Sequence, residues 1–223
     1  MQIAFALYDR FTALDVVGPF QALVELPGAQ CVFVAEEAGP VLDHTGVLAI
    51  TATARFDEVT APDIVVVPGG LADGDATADD PLVRWIRTVH PVTLWTTSVC
   101  TGSIYLALAG LLDGAEATCH WSDLERLGEL GARPTGRRVV IGEGIATAAG
   151  VSSGIDLGLA LAADLCGDDV ARAVQLAIEY DPEPPFDAGS PAKAGPDLVE
   201  LVLAVMADPA RRVRPYGGGP ATA

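Results

Sequence analysis

The sequence predicts an α/β domain with a mostly parallel sheet, and three observations carry that prediction. Short β-type apolar runs alternate along the chain with longer helix-type runs, the pattern of a parallel sheet covered on both faces. The segment DIVVVPGG (63–70) holds a continuous Val/Ile run rather than an alternating one, as a strand buried on both faces requires. No internal repeat and no long linker divides the chain, so 1–208 read as one domain and 209–223 as a disordered tail.

Each element has its own signal. Ile3–Leu7 and Gln30–Ala35 are strand-like, with helix-like Asp15–Glu25 between them. After DIVVVPGG, Pro81–Val89 reads as a helix and Val92–Thr97 as the next strand. Ser103–Leu112 is helical, and the spacing of Leu124, Leu127 and Leu130 adds another helix with Ser122 as its cap. Arg138–Ile141 and Ile145–Ala148 are strand segments around a glycine-rich turn. Helices over Ser153–Leu165 and Asp169–Glu179 follow, with little between them. The proline-rich YDPEPPFDAGSPAKAG (180–195) predicts irregular structure, and a last helix covers Pro196–Met206.

The chain has 223 residues, half of them hydrophobic, enough for a core that needs no staples. Its formal net charge is −17, and three of its few cations (Arg211, Arg212, Arg214) fall in the tail, leaving the body more acidic still. That balance argues against nucleic acid or an anionic membrane as partner. No apolar run has the length of a membrane span. The start MQIAFALYDRF lacks the pattern of a signal peptide, so the expected location is the cytoplasm, with Cys31, Cys100, Cys119 and Cys166 reduced. The cysteines show no CxxC spacing and His44, His90 and His120 are scattered, so neither a metal nor a cofactor is expected.

In an open α/β sheet the ligand crevice lies at the carboxyl ends of the strands. Three such ends carry chemistry: Asp15 soon after the first strand, Gly69-Gly70 after IVVVP, and Cys100 in TTSVCTGS, between a strand and a helix. A cysteine on such a turn is held clear of the sheet, and the N–H groups opening the next helix favour its thiolate. Gly102 allows the tight turn. Cys31, Cys119 and Cys166 read as small buried hydrophobes.

Gly69 and Gly70 offer unobstructed amides for an oxyanion or developing imidate, or simply make a turn. Asp15 is either the cap of its helix or a carboxyl facing the thiol, where burial and a nearby thiolate would raise its pKa into the range of a general acid. His120 either orients the thiol or fills a polar gap, and His44 and His90 read as surface residues.

These residues resemble the superfamily that holds PfpI-type peptidases and class I glutamine amidotransferase-like proteins. The likeness runs through DVVGPF, DIVVVPGG, TTSVCTGS, LAGLLDG, ATCHW, TAAGVSSGIDLGL and QLAIEYDPEPPFDAGSPAKA, and the last three look most like isonitrile hydratases. The resemblance implies a flavodoxin-like three-layer sandwich, a homodimer, a nucleophile-elbow cysteine and no cofactor. It makes Cys100 the nucleophile, Asp15 its acidic partner, Thr101 a pocket-lining residue and Gly70 an oxyanion-side amide. His120 falls where other branches keep a histidine near the sulfur. Thr101 stands where the peptidase branch has His, which speaks against peptidase activity. The implied reaction is hydration of a small, apolar isonitrile to an N-substituted formamide.

Two rival readings keep Cys100. One is a glyoxalase-like or deglycase-like enzyme, or another small-molecule C–N hydrolase. The other is a free-standing redox or small-molecule sensor, since related domains form the sensory halves of AraC-type regulators. Only a short tail follows the last predicted helix, too little for a DNA-binding module.

Overall fold

The computed structural model describes residues 1–70 and 76–207. The expected tail at 209–223 lies outside the described residues. Among the described residues eleven strands and eight helices follow one another along the chain. They are β1 (Gln2–Ala6), α1 (Ala13–Leu23), β2 (Gln30–Ala35), β3 (Gly39–Leu42), β4 (Ala49–Ala52), β5 (Ala54–Arg55), β6 (Ile64–Val67), α2 (Pro81–Val89), β7 (Trp95–Val99) and α3 (Gly102–Leu108). There follow β8 (Glu116–Ala117), α4 (Leu124–Glu129), β9 (Arg133–Pro134), β10 (Val139–Ile141), β11 (Ile145–Ala148), α5 (Ser153–Cys166), α6 (Asp168–Ala177), α7 (Pro191–Ala194) and α8 (Pro196–Ala207).

Seven strands form one sheet in the order β10-β11-β7-β6-β1-β2-β5. Every neighbour pair is parallel except β10 with β11, which form a hairpin at one edge. The alternation of side chains sorts the central strands into two cores. Ile3, Phe5, Ile64 and Val66 pack with Val16, Leu23, Leu157 and Leu161 of α1 and α5. Ala4, Ala6, Val65 and Val67 face the other way, against Leu82 and Ile86 of α2 and Ile104 and Leu106 of α3. The result is a flavodoxin-like three-layer sandwich in which β6 is buried along its whole length, as its unbroken Ile-Val-Val-Val run requires.

Local chemistry explains the boundaries. The Asp80 carboxylate accepts the Leu82 N–H at 2.9 Å, with Pro81 in the first turn, which starts α2 where the sequence predicts it. The Ser122 cap is corrected: His120 caps a 3-10 turn over 121–123, its ring accepting the Ser122 N–H, and α4 begins only at Leu124. His44 and His90 are half-buried rather than on the surface, and His90 Nδ1 lies 2.9 Å from Thr96 Oγ1. Within 180–195 one short turn of helix, α7, interrupts the irregular structure. The β3–β4 hairpin had no clear sequence signal; its closing turn is held by the Asp43 carboxylate, which accepts from Thr45 N, Thr45 Oγ1 and Leu48 N.

Helices α1 and α5 approach so closely that glycine is required between them. A Cβ on Gly158 would lie 2.7 Å from the Ala22 Cβ, and one on Gly154 would lie 2.8 Å from Cδ of Pro19, in the middle of α1. Overpacking such a seam costs ~1–3 kcal/mol. Gly158→Val is therefore expected to lower the urea midpoint with an unchanged slope, which equilibrium denaturation measures.

Candidate functional site

Strand β7 ends at Val99, and the next residue turns the chain into α3. Cys100 adopts φ +59°, a left-handed conformation that few side chains tolerate. Two carbonyls hold it there: the Cys100 N–H donates to Ala148 O at 3.0 Å and to Ala149 O at 2.9 Å, at the end of the neighbouring β11. The thiol-bearing residue is 6% exposed. Helix α3 starts immediately beyond, and Gly102 makes this possible, since a Cβ there would lie 2.2 Å from the Val67 carbonyl oxygen at the end of β6. Cys100 thus sits on a sharp strand-to-helix elbow at the carboxyl end of the sheet.

The other two strand ends meet it. Asp15 is fully buried in the first turn of α1, where Thr12, rather than Asp15, is the residue preceding the helix. Its Oδ2 accepts the Gly69 N–H at 2.9 Å, while the Gly69 carbonyl accepts the Thr12 N–H at 2.8 Å. Gly70 N–H donates to Thr101 Oγ1 at 3.1 Å. The position of a Cβ on Gly69 would lie 2.5 Å from Thr101 Oγ1 and 2.9 Å from Cys100 Cβ. Asp15, Gly69, Gly70, Cys100 and Thr101 therefore share one small volume, and both glycine amides are engaged by the side chains of Asp15 and Thr101.

His120 approaches from another segment. Its Nδ1 lies 2.7 Å from Ser122 Oγ, whose hydroxyl donates to Asp123 Oδ2 at 2.5 Å. The far edge of the ring packs on Gly150, where a Cβ would lie 2.7 Å from His120 Cδ2, next to the Ala149 carbonyl that holds Cys100. The hydrogen bonds of His120 thus run to Ser122, and its ring supports the loop beside the elbow. Of the remaining cysteines only Cys119 is buried as expected, donating to the His120 carbonyl at 3.2 Å; Cys31 in β2, whose thiol burial pushes up, and Cys166 at the end of α5 are half-buried.

Sequence reasoning missed a chain of buried hydroxyls beneath the elbow. Ser98 Oγ and Ser103 Oγ lie 2.8 Å apart, Ser103 Oγ donates to Thr118 O at 2.6 Å, and Thr147 Oγ1 accepts the Thr118 N–H at 2.9 Å. The signal was the polar TTS inside a buried strand, since buried hydroxyls must find partners. Tyr8 was missed as well: it follows β1, its hydroxyl donates to Pro68 O at 3.0 Å, and its ring packs 4.9 Å from that of Tyr105.

Residues 1–164 match the DJ-1/PfpI family. The chain belongs to that family. It is 40% identical over 200 residues to the isonitrile hydratase of Pseudomonas putida, an alignment covering 90% of this chain and 87% of that enzyme. Over 146 residues it is 30% identical to the HTH-type transcriptional regulator CdhR of Pseudomonas aeruginosa, covering 65% of this chain and 42% of the regulator. Among solved structures, a THiJ/PfpI family protein from Pseudomonas syringae superposes with a TM-score of 0.86 at 37% identity, covering 95% of this chain and 88% of that one. Family membership thus admits both enzymes and regulators. Among the described residues no helix is long and apolar enough to cross a membrane.

Burial pushes His120 below its ordinary value of 6.5, against the opposing pull of Asp123, and pushes His90 down as well. A histidine depressed in the folded state binds protons more readily when unfolded, so its folded form loses stability as pH falls below 6.5 and keeps it above. Urea midpoints are expected to drop between neutral pH and mildly acidic pH, and His120→Gln is expected to flatten that drop.

Proposed function

We propose that the protein is an isonitrile hydratase that converts a small, largely apolar isonitrile to the N-substituted formamide. The observation that carries this reading is the buried Asp15 carboxyl bound to the amide of Gly69, the residue that packs against Cys100 and Thr101 at the elbow. Similarity to the Pseudomonas putida isonitrile hydratase over nearly the whole of both chains supports the substrate class.

In the proposed cycle the Cys100 thiolate adds to the terminal isonitrile carbon and the Asp15 carboxyl delivers its proton to that same carbon, giving a thioimidate. Asp15, now anionic, takes a proton from water as the water oxygen bonds to the carbon, and passes that proton to the nitrogen. Collapse of the tetrahedral adduct breaks the C–S bond and returns the thiolate, while the adduct's hydroxyl proton passes to Asp15, which releases the formamide and restores the carboxyl. Thr101 holds the Gly70 peptide through its hydroxyl, and Gly69 lets the end of β6 pack directly against Cys100 and Thr101. The reaction needs a reduced Cys100, in keeping with a cytoplasmic location.

The reading includes a homodimer. Helix α8 has no buried residue, and Leu201 and Leu203 on it are 59% and 43% exposed. An apolar helix of this kind is unstable alone in water, and a second copy of the chain supplies the cover.

With cyclohexyl isocyanide as substrate, Cys100→Ala is expected to abolish formamide production, and Asp15→Asn to lower kcat about a hundredfold or more, the scale of a lost general acid. Formation of lactate from methylglyoxal without formamide from the isocyanide would favour the glyoxalase-like alternative. In size-exclusion chromatography with light scattering, the wild type is expected at twice the mass of one chain and Leu201→Glu is expected to shift toward monomer.

A further inference from the structure

Three residues outside the proposed catalytic group tie together three segments, two of which reach the loop that holds the elbow. Arg138 precedes β10, Asp156 lies in the first turn of α5, and Tyr180 opens the proline-rich segment. A single carboxylate oxygen joins them: Asp156 Oδ2 accepts Arg138 Nε at 2.8 Å, pairs with Arg138 Nη2 at 2.6 Å and accepts the Tyr180 hydroxyl at 3.1 Å. Arg138 Nη2 also donates to Ser152 Oγ at 3.3 Å.

From this cluster a short covalent and hydrogen-bonded path leads to the nucleophile. The Arg138 carbonyl accepts the Ala149 N–H at 2.9 Å, and the Ala149 carbonyl accepts both the Cys100 N–H at 2.9 Å and the Ser153 hydroxyl at 2.7 Å. The left-handed backbone at Cys100 is thus held by a loop, 149–152, that is fastened at one end through Arg138 and at the other through Ser152 and Asp156. Burial and the neighbouring carboxylate push the Tyr180 phenol up, so it remains a hydrogen-bond donor through neutral pH.

We propose that Arg138, Asp156 and Tyr180 are positioning residues that fix the 149–152 loop and through it the orientation of the Cys100 sulfur. A half-exposed ion pair of this kind adds little to global stability. Its effect falls instead on a strained residue that stays in place only while its surroundings over-determine it. The proposal rests on Cys100 being the reactive nucleophile, and its test reads that thiol directly.

The experiment measures iodoacetamide alkylation of each cysteine by peptide mass spectrometry, beside kcat and KM for cyclohexyl isocyanide, in the full chain. Asp156→Asn and Arg138→Met are expected to slow Cys100 alkylation and to lower kcat, each about tenfold, with KM little changed, the scale of a misplaced reacting group. Tyr180→Phe, which removes one hydroxyl, is expected to give a smaller loss of the same kind, and Asp156→Glu to recover part of it. Cys31, Cys119 and Cys166 are internal controls and should keep their wild-type rates. Wild-type alkylation of Cys100 in Asp156→Asn would overturn the proposal, as would acceleration at all four cysteines together, which marks general loosening. Slower alkylation in a protein that turns over no isocyanide would support the clamp while refuting the proposed reaction.

Discussion

The left-handed turn at Cys100 is the constraint around which the site is arranged. Such a turn is costly for a residue with a side chain, and it persists because several elements hold it at once. The carbonyls at the end of β11 accept its N–H, Gly102 lets α3 press against the Val67 carbonyl, and Thr101 reaches across to the Gly70 amide. Remove the close approach at Gly102 and α3 has no place to start; remove the β11 carbonyls and the elbow relaxes. The sheet order, with β7 between β6 and β11, is what brings these supports to the same side.

A second consequence concerns Asp15. A carboxyl with no solvent exposure persists only where the protein supplies partners, and the Gly69 amide is one. The same Gly69 peptide is bound through its carbonyl by Thr12, so the start of α1 and the end of β6 are locked together. This lock fixes the carboxyl on the peptide of Gly69, which packs against Cys100, although Asp15 and Cys100 are far apart in sequence. Strain at the cysteine and burial of the acid are two aspects of one small, dry junction between strand ends.

Much of the fold was legible because its signals are local. The unbroken apolar run of β6 and the start of α2 at Pro81 each follow from propensity or capping over a few residues. Helix α4 was misplaced at its start because two polar residues, His120 and Ser122, compete for the same cap, and only the ring position decides between them. The β3–β4 hairpin escaped notice because its strands are short and partly exposed, and its turn is organised by one buried carboxylate, Asp43.

The candidate site divides along the same line. Residue order alone determined that a cysteine stands at a strand-to-helix junction, that Pro-Gly-Gly ends a buried strand, and that an aspartate follows the first strand; the rule that crevices form at strand ends then singled out all three. Which atoms meet was decided by tertiary structure: Asp15 on the Gly69 amide, Thr101 on the Gly70 amide, His120 on Ser122 and Gly150. The buried hydroxyl chain showed in the sequence only as a polar TTS inside an apolar strand, and the Arg138–Asp156–Tyr180 cluster had no sequence-local signature at all. The physical reason is one of range. Backbone preference and side-chain periodicity act over a few residues and are written in order along the chain, whereas hydrogen-bond partners are chosen by the packing of elements many residues apart.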